Sequence, residues 1–470
     1  KGVFTLEFVV GILLLLTFFG LAYYCIKGHN LMIGFLIISI VWTALSLLGT
    51  LVASPTFIAE NPILQFGGDS GTTLVSILNK IYQSAPEGWG TTLVNVCWGA
   101  WFGRVLMETG IASTLIRKTV ELGGDRPIIT IVLLNVVTAF IFTAMMGAGP
   151  VIAIGVIVLP ILMSLGIPKA IAMFTFMGSV SAGMYLNPVL QFSQLRAFIC
   201  ASDEMPEFSF SWYTSHWGIY ALIISVVVVS VLTGIYLKIG KKSHAWAAQA
   251  APKNTQTDAP LIALILPIVP VVLKIWLDFS VIGGFVIAGF AALFLCGKMN
   301  KSFKENCQLV NKLYYDGVVD TAPLVGFLLT LPMFNTCASY ASPYFKEVLG
   351  GIMPTNEYVV CALFAALSIL GFFRGPLTLY GCGAATLGVL SAVGHFSVPF
   401  LFCVFTIPAT TVNVGSCITQ SWIAWGLAYT KVESRDYLKL SIPFAYICSI
   451  LLYILTAFTV TGLGPEWFLS

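Results

Sequence analysis

An arginine stands beside a Gly-Pro pair deep in an apolar stretch, at Phe373-Arg374-Gly375-Pro376. An ionised side chain at membrane depth is costly and is kept where it faces a partner or a ligand. The planar guanidinium of Arg374 matches the two oxygens of a carboxylate. Its bland alternative is a bond to a backbone carbonyl, or a place at the aqueous mouth of the segment. Thr378 and Tyr380 lie just beyond and could donate hydrogen bonds to the same anion, although a buried Tyr also serves as packing.

A second set of groups consists of neutral oxygens near Gly and Pro. Asn187 follows Ser179, Ser181 and Gly183, and Asn413 lies between Thr410, Thr411 and Ser416. Such oxygens, with carbonyls freed from a helix, can cage a small cation such as Na+. They can equally cap the loose backbone of a kinked helix or bond to the preceding turn. The candidate substrate contacts are Arg374, Gly375, Pro376, Thr378, Tyr380, Gly149, Pro150, Asn187, Asn413, Thr410 and Thr411. The candidate cation-coupling residues are Ser179, Ser181, Asn187, Asn413, Ser416 and Glu108. Glu108 follows Arg104 by one helical turn, so the two read as a local ion pair, or else Glu108 takes up a coupling proton. Asp316 and Asp320 are lesser proton candidates. Neither polar break contains a carboxylate, which favours Na+ over H+. No cofactor is expected, and no metal other than Na+.

These residues need elements that leave backbone groups unpaired inside lipid. Ordinary apolar runs of spanning length occur at 3–26, 31–53, 91–107, 212–239, 260–277, 281–296, 321–340 and 440–460. Two further pairs of segments, 128–166 with 169–195 and 357–393 with 398–430, carry Gly, Pro, Ser, Thr and Asn where an exposed backbone would be penalised. The first member of each pair has Gly-Pro at its middle, Gly149-Pro150 and Gly375-Pro376, and reads as a re-entrant hairpin of two half-helices. The second member has its own polar break and reads as a helix unwound near the midplane. An offset of 226 residues places Gly149-Pro150 on Gly375-Pro376, Asn187 on Asn413 and Gln194 on Gln420. Five spans and one returning hairpin per half make an odd number of crossings, so the halves 1–240 and 260–470 are expected to be inverted repeats. The polar stretch 241–259 is the expected linker. Lys and Arg, including Lys118, Arg126, Lys238, Lys241 and Lys439, gather on the linker side, which the positive-inside rule makes cytoplasmic. Asp69, Glu87, Asp203 and Glu204 fall on the other side.

Composition sets the class. With 58% hydrophobic and 9% charged residues, the chain cannot cover a soluble core with polar side chains. Its mean hydropathy is +0.93. The expected fold is an all-α polytopic inner-membrane protein of two inverted repeats, each with about five transmembrane helices and one hairpin. A net charge of +3, carried by scattered Lys and Arg, gives no footprint for nucleic acid. The 11 cysteines form no Cys-x-x-Cys pair and have no neighbouring His, so they read as small buried hydrophobes. The first apolar run lacks the short core and cleavage site of a signal peptide and is expected to remain as a helix. No Ser/His, metal or paired-carboxylate constellation points to an enzyme.

The stretch 98–112, Trp-Gly-Ala-Trp-Phe-Gly-Arg-Val-Leu-Met-Glu-Thr-Gly-Ile-Ala, followed by a basic amphipathic turn and the first hairpin, resembles the gluconate permease group. The order of segments over nearly the whole chain resembles the anaerobic C4-dicarboxylate carriers, and both groups belong to the ion transporter superfamily. The resemblance implies secondary active transport by a homodimer with a scaffold part and a mobile part. It also implies an elevator-like movement of a site built from hairpin tips and unwound helices, here the regions of Gly149-Pro150, Asn187, Gly375-Pro376 and Asn413. Relatives often carry Ser-Asn-Thr at the tips, whereas these tips read Gly-Ala-Gly-Pro and Arg-Gly-Pro-Leu-Thr. The expected function is cation-coupled uptake of a small organic acid. The alternatives are a cation/proton antiporter and the membrane subunit of a tripartite system with a soluble binding protein.

Overall fold

A computed structural model describes residues 5–26, 29–65, 73–123, 127–145, 147–200, 207–239, 258–349, 354–380, 383–393 and 396–462. The linker up to residue 257 lies outside them, as do Met146 and the charged residues Asp69, Arg126, Asp203, Glu204 and Lys241.

The described chain is built from helices. The first half runs through α1 (Leu6–Ile26), α2 (Leu31–Val52), α3 (Gly90–Glu108), α4 (Ile111–Gly123), α5 (Pro127–Phe142), α6 (Ala148–Ser164), α7 (Lys169–Met184), α8 (Gln194–Ile199) and α9 (Phe210–Lys238). The second half runs through α10 (Val269–Leu277), α11 (Val281–Leu295), α12 (Phe303–Leu349), α13 (Glu357–Ala366), α14 (Gly383–Val393), α15 (Val398–Ile407), α16 (Ser421–Thr430) and α17 (Ser434–Thr459). Met32–Val52, α9 and α17 are each long and apolar enough to cross a membrane alone. Shorter apolar stretches of helix, of 10–17 residues, run over Ile128–Phe142, Ala148–Ser164, Leu261–Leu277, Val281–Leu295 and Val398–Val414. Leu16, Phe19, Leu48, Leu51, Trp276 and Phe458 all point outward. In water this much apolar surface would be driven together; against acyl chains it costs nothing. The protein is an all-α polytopic membrane protein.

Local signals explain the helix ends. Asn30 opens α2 by accepting from the Ile33 amide at 3.3 Å, and Ser397 opens α15 by accepting from the Phe400 amide at 3.3 Å. Helix α4 is amphipathic: Ile111, Ala112, Thr114, Ile116 and Thr119 face inward while Arg117 is exposed. Its Arg117 pairs with Asp258, and the Thr114 hydroxyl accepts from the Ala259 amide at 3.0 Å, so the end of the linker is tied to the first half.

One expectation needs revision. Of α12, only 321–340 reads as a span, yet the helix covers 47 residues. At 1.5 Å per residue it is ~70 Å long, more than twice a bilayer core. The added segment starts at Phe303 and includes Lys304, Glu305, Gln308 and Lys312, residues that favour helix but leave no hydropathy signal.

The helices pack in two groups. Helices α1, α2, α3, α11 and α12 form one, centred on α12 against α2 and α3. Helices α5, α7, α9, α13, α15 and α17, with α6 and α16, form the other, centred on α7. Lipid supplies no hydrophobic drive between helices, so close approach and polar pairs hold the second group together. The Thr175 and Thr233 hydroxyls meet at 2.8 Å, and Trp217 donates to the Thr456 hydroxyl at 3.0 Å. Gly183 of α7 lies so near α5 that a Cβ there would stand 2.1 Å from the Ala139 carbonyl oxygen. Gly183→Ala should therefore push α5 and α7 apart and lower stability by about 1–3 kcal/mol. A lowered thermal unfolding midpoint in detergent is the expected result; an unchanged midpoint contradicts this packing.

At the offset of 226 residues the helices of the two halves can be set side by side. The order α5, α6, α7, α8, α9 in the first half is matched by α13, α14, α15, α16, α17 in the second. The contacts are reciprocal: α8 packs on α15, and α16 packs on α7. Where the two halves meet, the Tyr185 and Thr411 hydroxyls, 226 residues apart in sequence, touch at 2.6 Å. The match fails at Gly110, whose φ of 76° separates α3 from α4, whereas α12 continues unbroken through the equivalent region.

Candidate functional site

The strongest candidate is the second hairpin tip with the break after α15. Residues Ser368–Arg374 are bent 64° from α13 and open as a 3-10 turn that breaks at Phe372 and Phe373, whose backbone is not helical. The chain then turns back through two consecutive left-handed residues, Phe373 at φ 55° and Arg374 at φ 62°. Each costs a side-chain-bearing residue roughly 1–2 kcal/mol, and strain of this kind persists where surrounding structure holds it, typically at functional sites. Here the Phe373 amide meets Cys417 Sγ at 3.1 Å, and Phe372 packs with Val412, Cys417 and Ala445. The strained turn carries Arg374, whose guanidinium donates to the Tyr380 carbonyl at 3.1 Å and to Gln420 Oε1 at 3.4 Å. Gln420 joins the site through tertiary structure; the one sequence signal for it was its match with Gln194.

Beside this tip, Pro408–Val414 forms a π turn. Most of its polar groups are engaged. Thr410 Oγ1 accepts from Gln191 Nε2, Ser181 donates to the Thr410 carbonyl at 3.4 Å, and Ser416 donates to the Thr411 carbonyl at 2.9 Å. The loose carbonyls beyond are met by Trp422 on Val414 at 3.1 Å and Tyr437 on Gly415 at 2.6 Å. Ser179 bonds to its own preceding turn, at 2.8 Å from the Thr175 carbonyl.

The two matched asparagines differ. Asn187 donates to the Met145 and Phe142 carbonyls at 3.2 and 3.4 Å and accepts from the Val189 amide at 3.1 Å, so it caps the end of α5 and its own break. Asn413 is fully buried, yet neither atom of its amide has a hydrogen-bond partner. The same holds for the fully buried Gln194 amide, the Thr378 hydroxyl and Gln191 Oε1. An orphaned buried polar atom costs roughly 1–3 kcal/mol, so each of these groups is a candidate to meet a polar guest. Two contacts connect the elements that carry them: Gln191 to Thr410 in the turn of Asn413, and Phe198 on α8 to Tyr380, with ring centroids 6.2 Å apart. Gln191 and Gln194 are not among the candidates read from sequence, where the one signal for Gln194 is its match with Gln420.

The first tip is different. Gly149 and Pro150 open α6 and lie against α3 and α12: the Pro150 ring would be 3.4 Å from a Cβ at Gly103. Arg104 does not pair with Glu108. It makes a bidentate bond to Asp320 on α12, both contacts at 2.6 Å, while Glu108 lies 3.9 Å from Lys298. A fork-on-carboxylate pair outcompetes the single contact available one turn away on the same helix.

No family model and no curated protein matches the chain. Among solved structures, the crystal structure of the Alcanivorax borkumensis YdaH transporter, described as having an unusual topology, aligns with a TM-score of 0.53. The match covers 92% of this chain and 99% of that chain at 14% sequence identity, a likeness of fold.

Proposed function

We propose that the protein is a secondary active transporter that takes up a small organic carboxylate, of the sugar-acid or C4-dicarboxylate type, coupled to Na+ or H+. Arg374 carries this reading: a planar cation is held on a strained turn that packs on the turn of Asn413, and Asn413, Thr378 and Gln194 each have buried polar atoms without partners. A carboxylate satisfies the guanidinium, and the hydroxyls of a sugar acid or the far carboxylate of a diacid satisfy the amides. The likeness in fold to a transporter supports the class. Two packed helix groups with both hairpin tips near their boundary suit an elevator-like movement of one group past the other. On this reading the protein is a homodimer in the inner membrane, the linker is cytoplasmic, and the coupling cation takes neutral oxygens near Ser181, Thr410 and Asn413.

The test is uptake of labelled gluconate, succinate, lactate and citrate into proteoliposomes, under imposed Na+ or pH gradients. At least one acid should accumulate only when a gradient is present. Absence of uptake of every acid sinks the proposal. Proton movement driven by Na+ alone would replace it with an antiporter, and a requirement for an added periplasmic protein would replace it with a tripartite system.

A further inference from the structure

The two hairpin tips, matched in position, have unequal surroundings. The second carries a cation, Arg374; the first meets an anion supplied by the chain itself. A Cβ built on Gly149 would stand 2.3 Å from Asp320 Oδ2, so the Asp320 carboxylate lies directly against the first turn of α6. Arg104 of α3 grips both oxygens of that carboxylate, Oδ2 included, through guanidinium contacts at 2.6 Å. The seam is built for close approach. Gly103 faces Pro150, Thr321 faces Gly147, and a Cβ on Gly317 would stand 2.9 Å from the Ala100 backbone, which keeps α3 and α12 nearly in backbone contact. The pair is neither deeply buried nor free in solvent, with side-chain exposures of 28% for Arg104 and 14% for Asp320.

A helix N-terminus carries partial positive charge and unbonded amides, and a carboxylate held there stabilises the first turn. Asp320 belongs to the α12 group, whereas α6 packs on α7 and α16 in the other group. We propose that Arg104 and Asp320 form a latch that docks the first hairpin tip onto the α3–α12 seam and must release α6 before the two helix groups move past each other. Arg104 is the positioning residue: it aims the carboxylate and stays with it when the tip leaves. Gly149 is required because any side chain would displace the carboxylate. This inference rests on the proposed movement of the two helix groups past each other, whereas the docking contact itself, which the experiment reads, does not depend on which solute is carried.

The experiment is hydrogen–deuterium exchange of the full-length protein in lipid nanodiscs, followed in peptides covering 147–152. Asp320→Asn should speed exchange of these amides about fivefold, the loss expected when a charged partner leaves a helix N-terminus. The swap Arg104→Asp with Asp320→Arg restores an ion pair between α3 and α12 but presents a cation to α6, so exchange should remain fast. Gly149→Ala reaches the same contact from the other side without altering either charge, and it too should speed exchange. Unchanged exchange in Asp320→Asn or Gly149→Ala, or wild-type protection in the swap, would overturn the latch and leave a simple clamp between α3 and α12.

Discussion

Replacing Arg374 with alanine should lower the efficiency of organic-acid uptake by about two orders of magnitude. A charge-assisted hydrogen bond is worth about 1.5–3 kcal/mol, and a bidentate pair sits toward the upper end of that range. The loss should come mainly as weaker apparent affinity, because the guanidinium holds the carboxylate before and during movement. Arg374→Lys keeps the charge but loses the planar fork, and should recover only part of the activity. The side chain also ties the turn to the Tyr380 carbonyl and Gln420 Oε1, so the variants must elute as folded protein before their rates are compared. If uptake by Arg374→Ala matches the wild type while the protein stays folded, the anchor lies elsewhere and the site assignment fails.

Asn413→Leu should have opposite effects on stability and transport. The side chain is fully buried and its amide lacks partners at both atoms, so the unliganded protein bears a desolvation cost of roughly 1–3 kcal/mol. An apolar replacement of similar volume removes that cost, and the thermal unfolding midpoint should rise. Uptake should fall about a hundredfold, because an apolar wall replaces a donor and an acceptor facing the guest. Asn187→Leu makes the contrast: Asn187 caps the Met145 and Phe142 carbonyls, so its loss orphans backbone groups and should lower the midpoint. A lower midpoint for Asn413→Leu would mean that Asn413 is structural, and the orphaned groups would lose their meaning as a guest site.

Much of the architecture was legible without coordinates. The broken segments emerge near their expected places, with α6 starting at Ala148, α7 ending at Met184 and a π turn spanning Pro408–Val414, because Gly and Pro act on the backbone within a turn of where they stand. The short helical turns Pro55–Glu60 and Leu74–Asn79 gave no comparable signal, being neither long enough nor apolar enough to register. The length of α12 was missed for the related reason that its polar start is a helix without a hydropathy signature.

Sequence alone determined that this is a helical membrane protein with two matched pairs of broken elements, since composition, apolar run length and backbone breakers act locally. Tertiary structure decided the division of labour between the pairs. Arg104 finds Asp320, 216 residues away, in preference to Glu108 on its own helix. Asn187 is consumed by the Phe142 and Met145 carbonyls at and just past the end of α5, while its counterpart Asn413 is left without a partner. Those outcomes depend on which remote element arrives within hydrogen-bond reach, and local pattern carries no information about that arrival.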